Sequence, residues 1–127
     1  MLKLNPKQEI VPPQFIVRGA IRDQEGKPRT GLTVKAFDRD FRREAPLGEA
    51  ITDDQGNYSI TYSSKQLGIR AAADMVIKIF QGDRLLQISD VIFNAGKIET
   101  RDFVVPETDT VFDRLFQRIK DLLRPRN

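Results

Sequence analysis

The sequence predicts an all-β protein: an antiparallel Greek-key β-sandwich of about seven strands, followed by one C-terminal amphipathic α-helix. Three observations carry this. Between residues 15 and 105, apolar and polar side chains alternate over short runs, the pattern of half-buried strands. Turn signals recur about every ten residues, and no helical pattern separates consecutive strands, which argues against a parallel βαβ sheet. After Pro106 the apolar period lengthens to that of a helix.

Residues 1–13 are polar, end in Pro12-Pro13 and read as an extended lead-in arm. The sandwich domain covers 14–106. Phe15, Val17, Gly19 and Ile21 share one face of the first strand, with Arg18 and Arg22 opposite. Asp23 to Pro28 read as a turn in which Gly26 is able to take positive φ. Residues 32–38 make a second strand with Leu32, Val34 and Ala36 on one face. Residues 39–46 are charged, end in Pro46 and read as an exposed loop before a short strand at 47–52. Asp53-Asp54-Gln55-Gly56 is a strong turn signal. Residues 57–62 follow as a strand with Tyr58, Ile60 and Tyr62 on one side. Ser64 is placed to cap one or two helical turns that Gly68 ends. Strands at 74–80, 85–89 and 98–105 complete the set. The expected core is Phe15, Val17, Ile21, Leu32, Val34, Tyr58, Ile60, Ile77, Ile79 and Val104.

Residues 107–127 form the helix and tail. Val111, Phe112, Leu115, Phe116, Ile119, Leu122 and Leu123 fall within an arc of about 140°. Thr110 with Asp113 resembles a capping box, and Pro125 stops the helix. A helix this short is marginal alone, so its stripe needs a surface.

Composition removes whole classes of chemistry. The 127 residues include no Cys and no His, which eliminates disulfides, thiolate metal sites and every His-dependent triad. No apolar run is long enough to span a bilayer, and the N-terminus lacks a Sec-type apolar region, so synthesis in the cytoplasm is expected, with release or injection as part of an assembly left open. The net charge of +3 is localised: residues 111–127 carry five basic and two acidic side chains, whereas the rest is balanced. A balanced body argues against nucleic-acid binding.

Phe15-Ile-Val-Arg-Gly-Ala-Ile, Asp23 with Gly26-Lys-Pro, and Gly31-Leu-Thr-Val-Lys-Ala-Phe-Asp38 resemble the opening of a carboxypeptidase-regulatory-like, or transthyretin-like, β-sandwich. Ala36-Phe-Asp-Arg-Asp-Phe-Arg42, Leu47-Gly-Glu, Thr52-Asp-Asp-Gln-Gly-Asn-Tyr-Ser-Ile-Thr-Tyr62, Ala73-Asp and Phe93-Asn-Ala-Gly96 resemble the version embedded in the A components of Tc-type insecticidal toxins and related large bacterial proteins. The resemblance covers about residues 15–105 and implies a module without catalytic residues. Unlike those very long chains, this one carries the module almost alone, with a tail that looks like the start of the helical segment that follows it there. Transthyretin-like sandwiches also extend the tips of bacterial contractile injection machines. The implied function is a non-catalytic structural or protein-binding subunit or adaptor of such an assembly; a carbohydrate- or surface-binding domain is the alternative. Hydroxyisourate hydrolysis, known for a transthyretin relative, relies on His and does not carry over.

Four candidate sites remain. Asp38, Asp40, Glu44, Glu49, Asp53 and Asp54 offer hard oxygen ligands for Ca²⁺, but Arg39, Arg42 and Arg43 are interleaved, so ion pairs and turn chemistry are expected instead, with no cofactor. Ser63, Ser64 and Lys65 lack Ser-x-x-Lys spacing and read as a turn or cap. Tyr58, Tyr62, Phe37 and Phe80 form either a sugar platform or core, with core preferred. The tail packs on its own sandwich, docks with a partner or a second copy, or lies on an anionic membrane, the last disfavoured by Asp113 and Asp121. The expected contact residues are Phe112, Leu115, Phe116, Ile119, Leu122 and Leu123, rimmed by Arg114 and Arg118.

Overall fold

A computed structural model describes residues 11–40, 43–107 and 111–123. Most of the N-terminal arm, Arg42, the Thr110 cap and Pro125 lie outside the described residues, as do the side chains of Phe112, Asp113, Arg114 and Phe116.

Among the described residues, eight strands form two facing sheets: β1 (Gln14–Arg22), β2 (Thr33–Arg39), β3 (Glu44–Ile51), β4 (Asn57–Ser63), β5 (Met75–Gln81), β6 (Arg84–Ile88), β7 (Ile98–Thr100) and β8 (Phe103–Val104). One sheet runs β4–β1, with β7 and β8 beside successive stretches of β1; the other runs β3–β2–β5–β6. A helix, α1 (Val111–Leu122), follows. The protein is thus a two-sheet β-sandwich with one helix.

The alternating residues meet between the sheets. Phe15, Val17, Ile21, Leu32, Val34, Tyr58, Ile60, Ile77 and Ile79 are buried as the period predicts, and Leu47, Tyr62, Leu67 and Met75 join them. Phe15 stacks on Tyr62 with ring centroids 5.1 Å apart. Two Asp-x-x-Gly turns are built alike. Asp23 Oδ1 accepts the N–H groups of Glu25 and Lys27, and Asp53 Oδ1 those of Gln55 and Asn57, all at 2.9 Å. Gly56 has φ +78°, and a Cβ there would collide with the Ile21 carbonyl, so both conformation and space demand glycine.

Several expectations are corrected. The sheets are not wholly antiparallel: β7 and β8 pair with β1 in parallel. Parallel neighbours need a long crossover, and here the chain from β2 through β6 lies between β1 and β7. Residues 98–105 are not one strand either. Arg101 N–H donates to the Arg18 carbonyl at 2.8 Å, but the next free N–H of β1, at Ala20, is taken by the Asp102 carboxylate at 2.8 Å. A side chain there replaces the backbone partner and breaks the ladder. The break shifts the phase by one residue, so Val105 is buried while Val104, expected inside, is 58% exposed.

The expected loop at 39–46 is half strand, because β2 runs to Arg39 and β3 begins at Glu44. The Asp40 N–H donates to the Arg43 carbonyl and Asp40 Oδ1 accepts the Arg43 N–H, each at 3.0 Å, which closes a tight connection. Pro46 is accommodated at a register shift next to Phe37, where the edge strand bulges and Leu47 turns inward. Ser63, not Ser64, is the cap. Its Oγ accepts the Lys65 N–H at 3.2 Å, and Gln66 Oε1 accepts the Ser63 N–H at 2.9 Å, bounding a single 3₁₀ turn (Ser64–Leu67).

Candidate functional site

The family-like motifs, scattered in sequence, gather at two places and are used there on backbone. At one end of the sandwich, Asp38 is buried, accepts the Asp74 N–H at 3.1 Å and pairs with Arg70. Asp74 in turn accepts the Asn94 N–H at 3.0 Å, and the Ala95 N–H donates to the Ala73 carbonyl at 2.8 Å. Asn94 holds φ +50°, a left-handed position that Asn tolerates better than most residues. The Asp38, Ala73-Asp74 and Asn94-Ala95 pieces are therefore one clamp that fixes the start of β5 between β2 and the loop after β6. At the other place, Thr52 Oγ1 accepts the Leu32 N–H at 3.0 Å, Asp53 and Gly56 shape the turn, and the Tyr58 hydroxyl donates to the Arg101 carbonyl at 2.6 Å. Burial pushes the Tyr58 phenol far up, and the Asp102 charge adds to it.

The six candidate carboxylates do not converge. Asp38 is spent in the clamp. Glu44 bridges Arg39 and Lys78, with contacts of 2.6 Å to each, and those hydrogen bonds hold its carboxyl below the usual range. Asp40 and Asp53 accept turn N–H groups, and Glu49 and Asp54 are exposed. Among the described residues, no group of three or more acidic side chains is placed to hold a metal ion.

The four aromatic candidates separate into two pairs. Tyr58 and Tyr62 are core. The Tyr62 hydroxyl is buried without a hydrogen-bond partner among the described residues, and burial raises its pKa, with a smaller push from Glu99. Phe37 and Phe80, against expectation, are half-buried on the outer face of the β3–β2–β5–β6 sheet. Lys78 Nζ sits 4.9 Å from the Phe37 ring centre and Lys35 Nζ 4.9 Å from that of Phe80. Alternation along β2 and β5 puts these residues outside because the inner positions are already filled by Val34, Ala36, Ile77 and Ile79.

The α1 stripe is uncovered where its side chains are described. Leu115, Ile119, Leu122 and Leu123 are 54%, 47%, 84% and 78% exposed, and Arg118 is exposed beside them. No helix among the described residues is long and apolar enough to cross a membrane.

Sequence reasoning missed Arg29. It is a buried cation whose Nη1 donates to the carbonyls of Val105 and Pro106 at 2.7 Å each, pinning the point where the chain leaves the sandwich for α1. Nothing near Arg29 in sequence signals this, since its partners lie more than seventy residues away. An open concavity of about 580 Å³ lies at the clamp end, lined by Arg39, Asp40, Arg70, Asp74, Val91 and Phe93.

No protein-family model matches the chain, and no curated protein does. Likeness to solved structures bears on the fold alone. A 9R-lipoxygenase from Cyanothece PCC8801 superposes with a TM-score of 0.64 at 19% identity, over 86% of this chain. The chain spans only 19% of that lipoxygenase's length. Chlorocatechol 1,2-dioxygenase from Pseudomonas putida (TM-score 0.47, 15% identity, 74% of this chain and 60% of that one) is a more distant likeness. So is an alternative pilotin of the type II secretion system of Vibrio cholerae (TM-score 0.46, 15% identity, 74% and 98%). The superposition on the lipoxygenase shows the fold, a β-sandwich.

Proposed function

We propose that the chain is a non-catalytic, transthyretin-like Greek-key module that binds a protein partner through α1, as a small subunit or adaptor of a bacterial toxin or contractile-injection-type assembly. The observation that carries the non-catalytic reading is the use made of the motif residues. Asp38, Thr52, Asp53, Asp74 and the Tyr58 hydroxyl each bond the chain's own backbone, so these motif residues serve the fold. The toxin or injection setting rests on the sequence resemblance. The binding reading rests on the exposure of Leu115, Ile119, Leu122 and Leu123 on α1, on a chain whose sandwich core is already closed.

The alternative of a carbohydrate-binding domain draws on Phe37 and Phe80. A sugar platform needs open ring faces, and an ammonium group already stands over each ring. The test is deletion of residues 107–127, followed by thermal melting and a glycan array. The truncated sandwich is expected to melt within a few degrees of the full chain, and both forms to be silent on glycans. A glycan signal lost on substitution of Phe37 moves the function to carbohydrate binding, and unfolding of the truncated chain makes α1 part of the core.

A further inference from the structure

We infer that α1 is built to enter an apolar groove with an acidic rim on a different protein, not to pair with a second copy of this chain and not to cover its own sandwich. The inference rests on the docking reading above and adds the chemistry of the partner.

Charge is the first argument. Residues 111–127 hold the chain's entire net charge of +3, with Arg114, Arg118, Lys120, Arg124 and Arg126 against Asp113 and Asp121. Two such segments in contact set like charges within a Debye length, about 8 Å at physiological salt. The chain's own sheet face is no better matched. The outer face of β3–β2–β5–β6 presents Ile51, Leu85 and Ile88 together with Lys35, Arg39 and Lys78, against Glu44 and Glu49, and Glu44 is already bound by Arg39 and Lys78. A basic helix gains nothing there. An acidic rim satisfies the arginines and speeds encounter.

Shape is the second argument. The stripe of Phe112, Leu115, Phe116, Ile119, Leu122 and Leu123 has groove-docking spacing and is broader than the two-position seam of a paired coiled coil. Twelve helical residues extend about 18 Å, the scale of one groove. The third argument is mechanical. Arg29 grips the carbonyls of Val105 and Pro106, and α1 begins at Val111, so a very short tether joins a rigid exit to the helix. Docking of the helix therefore places the sandwich close to the partner's surface.

The experiment uses the full chain and Ca²⁺-loaded calmodulin as the probe of an acid-rimmed apolar groove, with mixed phosphatidylcholine and phosphatidylglycerol vesicles as a second arm and sedimentation equilibrium as a third. The expected result is a monomer that binds calmodulin, loses about tenfold in affinity as salt rises from about 0.05 to 0.5 M, and does not pellet with vesicles. Leu115→Asp should abolish that binding and leave the melting midpoint unchanged. Failure to bind calmodulin overturns the inference. So does a dimer that Leu115→Asp dissociates, or vesicle binding that the same substitution removes, although these two leave α1 a docking element. If Leu115→Asp lowers the melting midpoint by many degrees and nothing binds, the docking reading itself falls, because α1 is then core.

Discussion

Replacing Arg29 by Met tests whether the sandwich is closed at its exit by a buried cation. The side chain is 6% exposed and gives two hydrogen bonds of 2.7 Å to carbonyls. Bonds to a charged donor contribute about 1.5–3 kcal/mol each. Two effects offset part of that loss. The Pro106 carbonyl lies at the edge and regains water, and Met no longer requires a guanidinium to be desolvated. The Val105 carbonyl remains buried and unpaired, at a cost of about 1–3 kcal/mol. The net expectation is a loss of about 2–3 kcal/mol, or a fall of about 10–20 °C in melting midpoint for a domain of this size. Urea denaturation followed by far-UV circular dichroism measures it, with the m-value unchanged. Arg29→Lys should lose less than Arg29→Met, because a single ammonium nitrogen also carries several N–H donors, although its stem is shorter than that of arginine. A loss below about 0.5 kcal/mol for Arg29→Met, the size of an ordinary surface change, would refute the clamp.

Ile60 is buried at the centre of β4, so Ile60→Ala should cost about 2–5 kcal/mol in the same assay; a negligible loss means the strand phase is wrong. Tyr58→Phe should destabilise by about 0.5–1.5 kcal/mol through its lost bond to the Arg101 carbonyl, whereas Tyr62→Phe should be neutral or stabilising because its hydroxyl is buried without a partner. Equal losses at the two tyrosines would contradict that contrast. Glu44 has its pKa lowered by hydrogen bonds from Lys78 and Arg39, so it stabilises the fold above the ordinary glutamate range, about 4.3, and that contribution is lost as pH falls through the lowered folded value. Glu44→Gln should therefore cost about 1 kcal/mol at pH 7 and nothing in strong acid; a pH-independent difference between the two proteins rules this out.

The all-β character, the two Asp-x-x-Gly turns, the core faces of β1, β2, β4 and β5 and the helical spacing of the apolar residues of α1 were legible in the sequence, because each depends on residues within a few positions of one another. Period two selects the face a side chain takes, and a turn needs only its own Asp and Gly. Four features were decided only by the tertiary structure. β7 and β8 run parallel to β1, Val105 rather than Val104 is buried, β3 begins before Pro46, and Arg29 and Asp38 find partners far along the chain. In each, the deciding partner is distant in sequence. Asp102 takes the Ala20 N–H across more than eighty residues and resets the phase of the last strand. A local period carries no record of a side chain that replaces a backbone partner, nor of which strand lies alongside. Those outcomes follow from the folded chain's need to pair every buried polar group.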